Sequence, residues 1–348
     1  MKKITWIEYA KLAATMLVVM QHSISQEWIR LAADSYLVEW RVLNLVFMLD
    51  TISLPIFFMS SGIVMLGRDR SLDEIARSIW KIVKTYVAWM LVYGAVDAIS
   101  LFSENLATPK TVINAFLKNI IFGRYHTWFL LTLIALYAVT PFLRPFIEDR
   151  KKRRYFLLLS VLFTVLLPQI GSYSERLNGT IQQFHMMFVV GYVMYFVLGY
   201  ELQQVSMNRK KTILAAGVFA LSAGAGYLLS LKAAANAGTE CQTVYAEFTL
   251  IGLMMNASAF ALLKGCFEGA GEWKTTKYVV YLQGFGMGIY LLHPLINTWL
   301  GSFEGLRVLG KAVLVWVISF GIVWTIEGIK KMILSRSHQV CEIGRAHV

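Results

Sequence analysis

Ten long apolar stretches, separated by short polar and mostly basic segments, account for nearly all of this chain. They run about 5–25, 42–66, 80–102, 126–147, 154–170, 184–203, 211–231, 245–266, 278–300 and 309–332. A helix needs roughly 20 mostly apolar residues to cross the hydrocarbon core of a bilayer. The pattern therefore predicts an all-α integral membrane protein, a bundle of about ten transmembrane helices. The fifth stretch is short and ends at Pro168. The longest connections, 103–125 and 232–244, are modest, and the run 232–240 reads as a small-residue loop. No internal repeat or low-complexity segment breaks the pattern. Residues 1–335 read as a single transmembrane domain and 336–348 as a tail.

Composition supports this reading. The chain is 57% hydrophobic and 16% charged, with mean hydropathy +0.57, whereas soluble domains sit near 45–50% apolar and about 25% charged. The formal charge of +12 does not imply nucleic acid, because the charges lie between apolar runs and form no single patch. Cys241, Cys266 and Cys341 show no paired spacing, which argues against a disulfide framework and a metal site. The basic start Met1-Lys2-Lys3 leads into a stretch carrying Glu8 and Lys11, with no small-residue cleavage site after it. The first stretch therefore reads as a retained helix. With the N-terminus inside, the inner segments hold 20 Lys and Arg against 9 in the outer ones. By the positive-inside rule both termini belong in the cytoplasm, with the protein in the cytoplasmic membrane and the run Arg150–Arg154 as the strongest marker. The final Ile343-Gly344-Arg345-Ala346-His347-Val348 is what one reading frame of a common sequencing adapter encodes. Residues 342–348 are therefore expected to be an artefact.

Candidate chemistry begins with Lys11 and His22, eleven residues apart. Eleven steps of about 100° close to within about 20° of three turns, so both face one way, about 16 Å apart along the axis. Ionisable groups inside a spanning helix are functional hypotheses by default. The plain alternative is a snorkelling lysine and an interfacial histidine. His22, His126, His185 and His293 all fall in the outer halves of their stretches, where an imidazole could act as a general base. Asp50, Asp97 and Glu247 also fall in outer halves, and any of them could orient an imidazole. Phe57-Phe58-Met59-Ser60-Ser61-Gly62 closes the second stretch, and its small residues permit close helix packing. The inner segment after it carries Arg68, Arg70, Arg77 and Lys81, with Lys84 beyond. Such a cluster could hold phosphates or simply mark the cytoplasmic side.

Together these pieces resemble acyltransferase family 3, the polytopic membrane O-acyltransferases of bacterial surface polysaccharides. The family pairs a basic residue and a histidine, ten residues intervening, on its first helix, here Lys11 and His22. Its Phe-Phe-x-x-Ser-Gly pattern is matched by Phe57, Phe58, Ser61 and Gly62. Trp128-Phe129-Leu130, Tyr137 and Pro141 match a Trp-Phe-Leu segment leading to Tyr and Pro. Gly288 to Pro294, with Tyr290 and His293, matches a late Gly-Ile-Tyr-Leu-Leu-His-Pro run. The resemblance implies a cytoplasmic acyl-CoA donor, often acetyl-CoA, an envelope-glycan hydroxyl as acceptor, and no bound cofactor. His22 is then the general base, working with Lys11, and a covalent acyl-histidine stays open. Asp50, Asp97, His126, Trp128, Tyr290, His293 and Ser61 are the supporting candidates, and Arg68, Arg70, Arg77 and Lys81 the donor-binding ones. The chain departs from the family at Lys11, where arginine is commoner, and at Thr85, where a proline is usual. It also lacks the extra soluble domain of some members. A secondary transporter of a lipid-linked sugar is the competing reading, though no inverted repeat is evident. A membrane sensor or scaffold is a third, and it would not require the Lys11–His22 face.

Overall fold

The computed structural model describes residues 4–186, 191–269 and 273–345. Lys2, Lys3, residues 187–190 of the sixth stretch and residues 346–348 of the tail lie outside the described residues, as do the side chains of Lys331 and of residues 333–345. The described residues are helical, with no strand among them. In chain order the helices are α1 (Trp6–Leu31), α2 (Val38–Asp50), α3 (Ser53–Leu66), α4 (Leu72–Ser103), α5 (Pro109–Phe122), α6 (Trp128–Glu148), α7 (Arg150–Val161), α8 (Leu167–Gly171), α9 (Glu175–Gln182), α10 (Tyr192–Gln203), α11 (Arg209–Ala237), α12 (Leu250–Phe267), α13 (Thr276–Gln283), α14 (Gly286–Trp299) and α15 (Arg307–Arg345).

Among the described residues, seven helical stretches can cross a membrane by length and composition, or eight if the bent α13–α14 pair is one span. The expected count of about ten is not confirmed, and two stretches account for part of the difference. Helix α1 is 26 residues long but is diluted by Lys11, Gln21, His22, Ser23, Ser25 and Gln26. The described part of the sixth stretch, α10, is only 12 residues.

Several boundaries differ from expectation. Val38–Leu66 is one apolar stretch of 29 residues, but it breaks after Asp50. Pro55 has no N–H to give the Thr51 carbonyl, and its ring crowds that carbonyl. The fifth stretch does not end at Pro168. A π-helical turn, Leu162–Leu166, precedes the proline, and the helix continues to Gly171. The ninth stretch bends by 54° between α13 and α14, at Gly284-Phe285. Most of the supposed 232–240 loop is helix, because its alanines are strong helix formers. Gly238, left-handed at φ 65°, ends it. The Arg150–Arg154 run is likewise the first turn of α7, not a loop. Asp149 caps that turn, accepting from the Lys151 and Lys152 backbone N–H groups. The bonds from Lys152 and then Lys151 hold its carboxyl below the usual carboxylate range. The 103–125 connection contains α5, whose 14 residues are too few to span. It exposes Ile113, Leu117 and Ile121 along one side.

The chain divides into two compact units. The first comprises residues 1–53, 207–247 and 251–348, and the second residues 54–206 and 248–250. In the first, α1 packs against α2, α13, α14 and α15. A helix enclosed by four others need not be apolar all round, which accounts for the polar positions of α1. A buried polar chain ties this unit together. Trp28 Nε1 donates to Asn44 Oδ1 (3.1 Å), and Asn44 Nδ2 donates to Ser230 Oγ (2.8 Å). The Tyr245 hydroxyl donates to the same Asn44 Oδ1 (3.3 Å).

In the second unit α3 and α10 approach closely. A Cβ on Gly62 would stand 1.8 Å from the Phe196 carbonyl oxygen, and one on Gly199 would stand 2.2 Å from that of Met59. Only glycine fits at either position. Helix α4 packs on α5 and α6, and α6 and α7 pack on α10.

Candidate active site

In the first unit, α1 and α14 bring two histidines together. His22 Nδ1 lies 2.7 Å from His293 Nε2, and the two rings are nearly parallel, with centroids 5.0 Å apart and 12° between planes. His293 is fully buried at 0% exposure, while His22 is half-buried. His293 Nδ1 stands 3.2 Å from the Ile289 carbonyl oxygen one turn back along α14. A carbonyl can only accept, so His293 Nδ1 carries its proton. With both rings neutral, His293 Nε2 is then the acceptor and His22 Nδ1 the donor. The protonation pattern follows: the basic lone pair of His22 is on Nε2. A backbone carbonyl thus sets the tautomer of His22 through a second imidazole.

Other residues complete this neighbourhood. Asn297, one turn beyond His293, donates from Nδ2 to the His22 carbonyl oxygen (3.3 Å). The Tyr290 ring lies 6.0 Å from that of His293. Lys11 is half-buried on the unbroken α1, its ammonium 3.9 Å from Glu8. Buried Thr15 and Val18 fall on the same side of the helix as Lys11 and His22, so this face looks into protein. Asp50, at the end of α2, is 1% exposed, and its Oδ2 has no hydrogen-bond partner among the described residues. The group on His22 Nδ1 is therefore an imidazole and not a carboxylate.

The remaining candidates, Glu247 apart, lie in the second unit. Phe58, Trp128, Phe129 and Tyr192 form an aromatic cluster, with Phe58 4.4 Å from Tyr192 and 4.9 Å from Phe129. Trp128 lies 5.3 Å from Tyr192. The Phe-Phe and Trp-Phe segments thus pack on each other. Ser61, beside Gly62 on α3, is half-buried. His126 is buried beside Tyr93, 3.5 Å from its hydroxyl. Asp97 accepts on both oxygens: Arg124 Nη2 donates to Oδ1 (2.5 Å) and Asn119 Nδ2 to Oδ2 (2.7 Å).

The basic segment is partly committed to structure. Arg68 pairs with Glu74 (2.7 Å), and Arg70 Nη2 donates to the Val64 carbonyl at the end of α3 (2.9 Å). Arg77 and Lys81 are exposed on the first turns of α4. His185 has φ 49°, just after α9. Glu247 also belongs to the first unit.

Sequence reasoning missed the His22–His293 bond, which joins residues 271 positions apart. It also missed Arg144, which sits inside an apolar stretch and was assigned to neither side of the membrane. No cluster of three or more potential metal ligands occurs among the described residues.

A family model described as an acyltransferase domain matches residues 4–328, nearly the whole chain. A search of curated proteins and a search of solved structures each found no match.

Proposed function

Because the chain belongs to the acyltransferase 3 family and so is a membrane acyltransferase, we propose that it moves an acyl group, acetyl foremost, from cytoplasmic acyl-CoA to a hydroxyl of a cell-envelope sugar. The observation that carries this reading is the His22–His293 bond, with the basic lone pair on His22 Nε2. In the proposed reaction His22 Nε2 takes the acceptor's hydroxyl proton. The acceptor oxygen attacks the thioester carbonyl, the C–O bond forms, and the C–S bond breaks. The thiolate leaves and recovers the proton. At 2.7 Å, the Nδ1 proton of His22 can shift toward His293 Nε2 as Nε2 becomes protonated, which spreads the charge over both rings. Lys11 lies about 16 Å down the same helix face, on the cytoplasmic side in this topology, and contacts the donor.

The test uses membranes supplied with acetyl-CoA labelled in the acetyl group. Label should appear in glycan and disappear with His22→Ala at matched protein level. Wild-type incorporation by His22→Ala would overturn the assignment of His22. Absence of incorporation in the wild-type membranes would overturn the donor and acceptor classes. The same reading places both termini and the start of α7 in the cytoplasm. A reporter that works only outside the cytoplasm should stay inactive when fused at Lys152, and activity there would invert the topology.

A further inference from the structure

The second unit gathers arginines at one end. Asp97, near the end of α4, pairs with Arg124, just before α6. The start of α4 and the end of α6 therefore share the opposite end. Arg153, in the first turn of α7, pairs with Glu201 near the end of α10, and it donates to the Ile147 carbonyl at the end of α6 (2.7 Å). Arg153 is 5% exposed and closes the C-terminus of α6. Arg154 shares the same Glu201 carboxylate (3.0 Å).

Arg144 is different. It lies on α6 at 14% side-chain exposure, and its one ion pair runs from Nη2 to Glu148 (2.8 Å), which is 59% exposed. Its Nε and Nη1 are buried with no hydrogen-bond partner among the described residues. Arg70 Nε is in the same condition. The Arg144 and Arg153 guanidiniums both lie over the Tyr200 ring, 5.9 and 5.3 Å from its centroid. Arg70, just before α4, lies at the same end of the unit as Arg144 near the end of α6.

Buried guanidinium N–H groups without acceptors are costly. Here two occur on one side chain, beside a second buried arginine, with Glu148 and Glu201 already engaged. The cost is removed by an anion that brings several oxygens. A phosphate or diphosphate suits a guanidinium fork. We infer that Arg144, with Arg70 and the Tyr200-backed Arg153, forms a phosphate-binding site at this end of the second unit. The phosphate is that of a soluble nucleotide such as the donor, or that of an anionic lipid headgroup. The first source rests on the function proposed above, and the second does not.

The test is calorimetric titration of the purified full-length protein in detergent, with inorganic pyrophosphate as the probe. Arg144→Gln should weaken binding about tenfold to a hundredfold, the usual loss for charge-assisted bonds. Lys151→Gln removes the same charge from an exposed neighbour and should change binding less than twofold. Glu148→Gln removes an exposed carboxylate and frees Arg144 Nη2, so it should tighten binding. This variant keeps the test decisive if Arg144→Gln folds poorly. Equal affinity across wild type, Arg144→Gln and Glu148→Gln would overturn the site, as would an absence of pyrophosphate binding or an equal loss from Lys151→Gln.

Two arms separate the sources. Competition by free CoA would assign the site to the donor. Stabilisation by phosphatidylglycerol nanodiscs over phosphatidylcholine ones, lost in Arg144→Gln and without CoA competition, would assign it to lipid. Acyl transfer is not read in the titration. A protein that binds pyrophosphate through Arg144 but transfers no acyl group would sink the proposed function and leave the site standing.

Discussion

His22 and His126 look alike along the sequence: each is an imidazole in the outer half of an apolar stretch. In the structure they differ in what surrounds them. His22 donates to a buried imidazole whose own proton is fixed by a backbone carbonyl, so its basic nitrogen is defined by geometry. His126 sits beside Tyr93 in a clamp. There Asp97 is held by Arg124 and Asn119, and Arg124 also covers the Tyr93 ring at 4.9 Å. That clamp ties the end of α4 to α5 and to the entry of α6. A residue type marks a candidate, but the commitments of its neighbours decide whether it can do chemistry.

The largest effect expected from this contrast is at His22. His22→Ala should lower acyl transfer by about 10²–10⁴ with the protein still in the membrane, as loss of a general base does. Moving the imidazole one position, Gln21→His with His22→Gln, swings it about 100° around α1 and should not restore activity. Transfer rates at matched protein levels check both, and rescue by the shifted histidine would break the geometric argument.

His293 acts through His22, so its removal should cost less. His293→Gln keeps a side chain able to accept from His22 Nδ1, and it should retain more activity than His293→Ala. The alanine variant should lose about 10²-fold, within the range for acid–base positioning. The readout specific to positioning is the pH profile. The acid limb of kcat should move in both variants, while KM for the donor should not. An unmoved profile would reduce His293 to a packing residue.

How much of this was legible follows from distance along the chain. The Lys11–His22 relation is local, set by helical period, and survives because α1 is one unbroken helix. The Phe57-Phe58 and Trp128-Phe129 motifs were legible as motifs, but their mutual packing was not. The His22–His293 bond joins first and last parts of the chain, and no periodicity encodes it. Pro55 was legible as a helix breaker, yet it was read inside an apolar run, where hydropathy masks a break. Helix α5 was missed because a length threshold for spanning sees only long elements. Arg144 was missed because a count of charges by side has no place for a cation inside a stretch.

Lys11 sharpens the comparison from the other end of α1. Lys11→Arg keeps the charge and supplies the residue commoner in the family, so transfer should stay within about threefold, a change worth well under 1 kcal/mol. Lys11→Met should lose far more. Donor KM separates the explanations: a rise confined to Lys11→Met places the charge on the donor, and a fall in kcat alone would place it on the shape of the site.

The smallest expected effect on chemistry is at Asp97, and it tests the other half of the comparison. Asp97 accepts from Arg124 and Asn119, one bond on each oxygen, and neither donor is an imidazole. Its pair with Arg124 is about one-third exposed on both sides, where solvent screening limits an ion pair to roughly 0.2–1 kcal/mol. Asp97→Asn keeps the shape and one acceptor oxygen while removing the charge. It should lower the unfolding temperature in detergent slightly and leave kcat of the folded enzyme unchanged. Arg124→Gln should do the same, and the double variant should cost less than the sum of the two, because each single change removes the same pair. A triad acid behaves differently, since replacing it by the amide cuts kcat by orders of magnitude while the fold stays intact. A collapse of kcat in Asp97→Asn without loss of stability would make the clamp catalytic and erase the distinction between the two histidines.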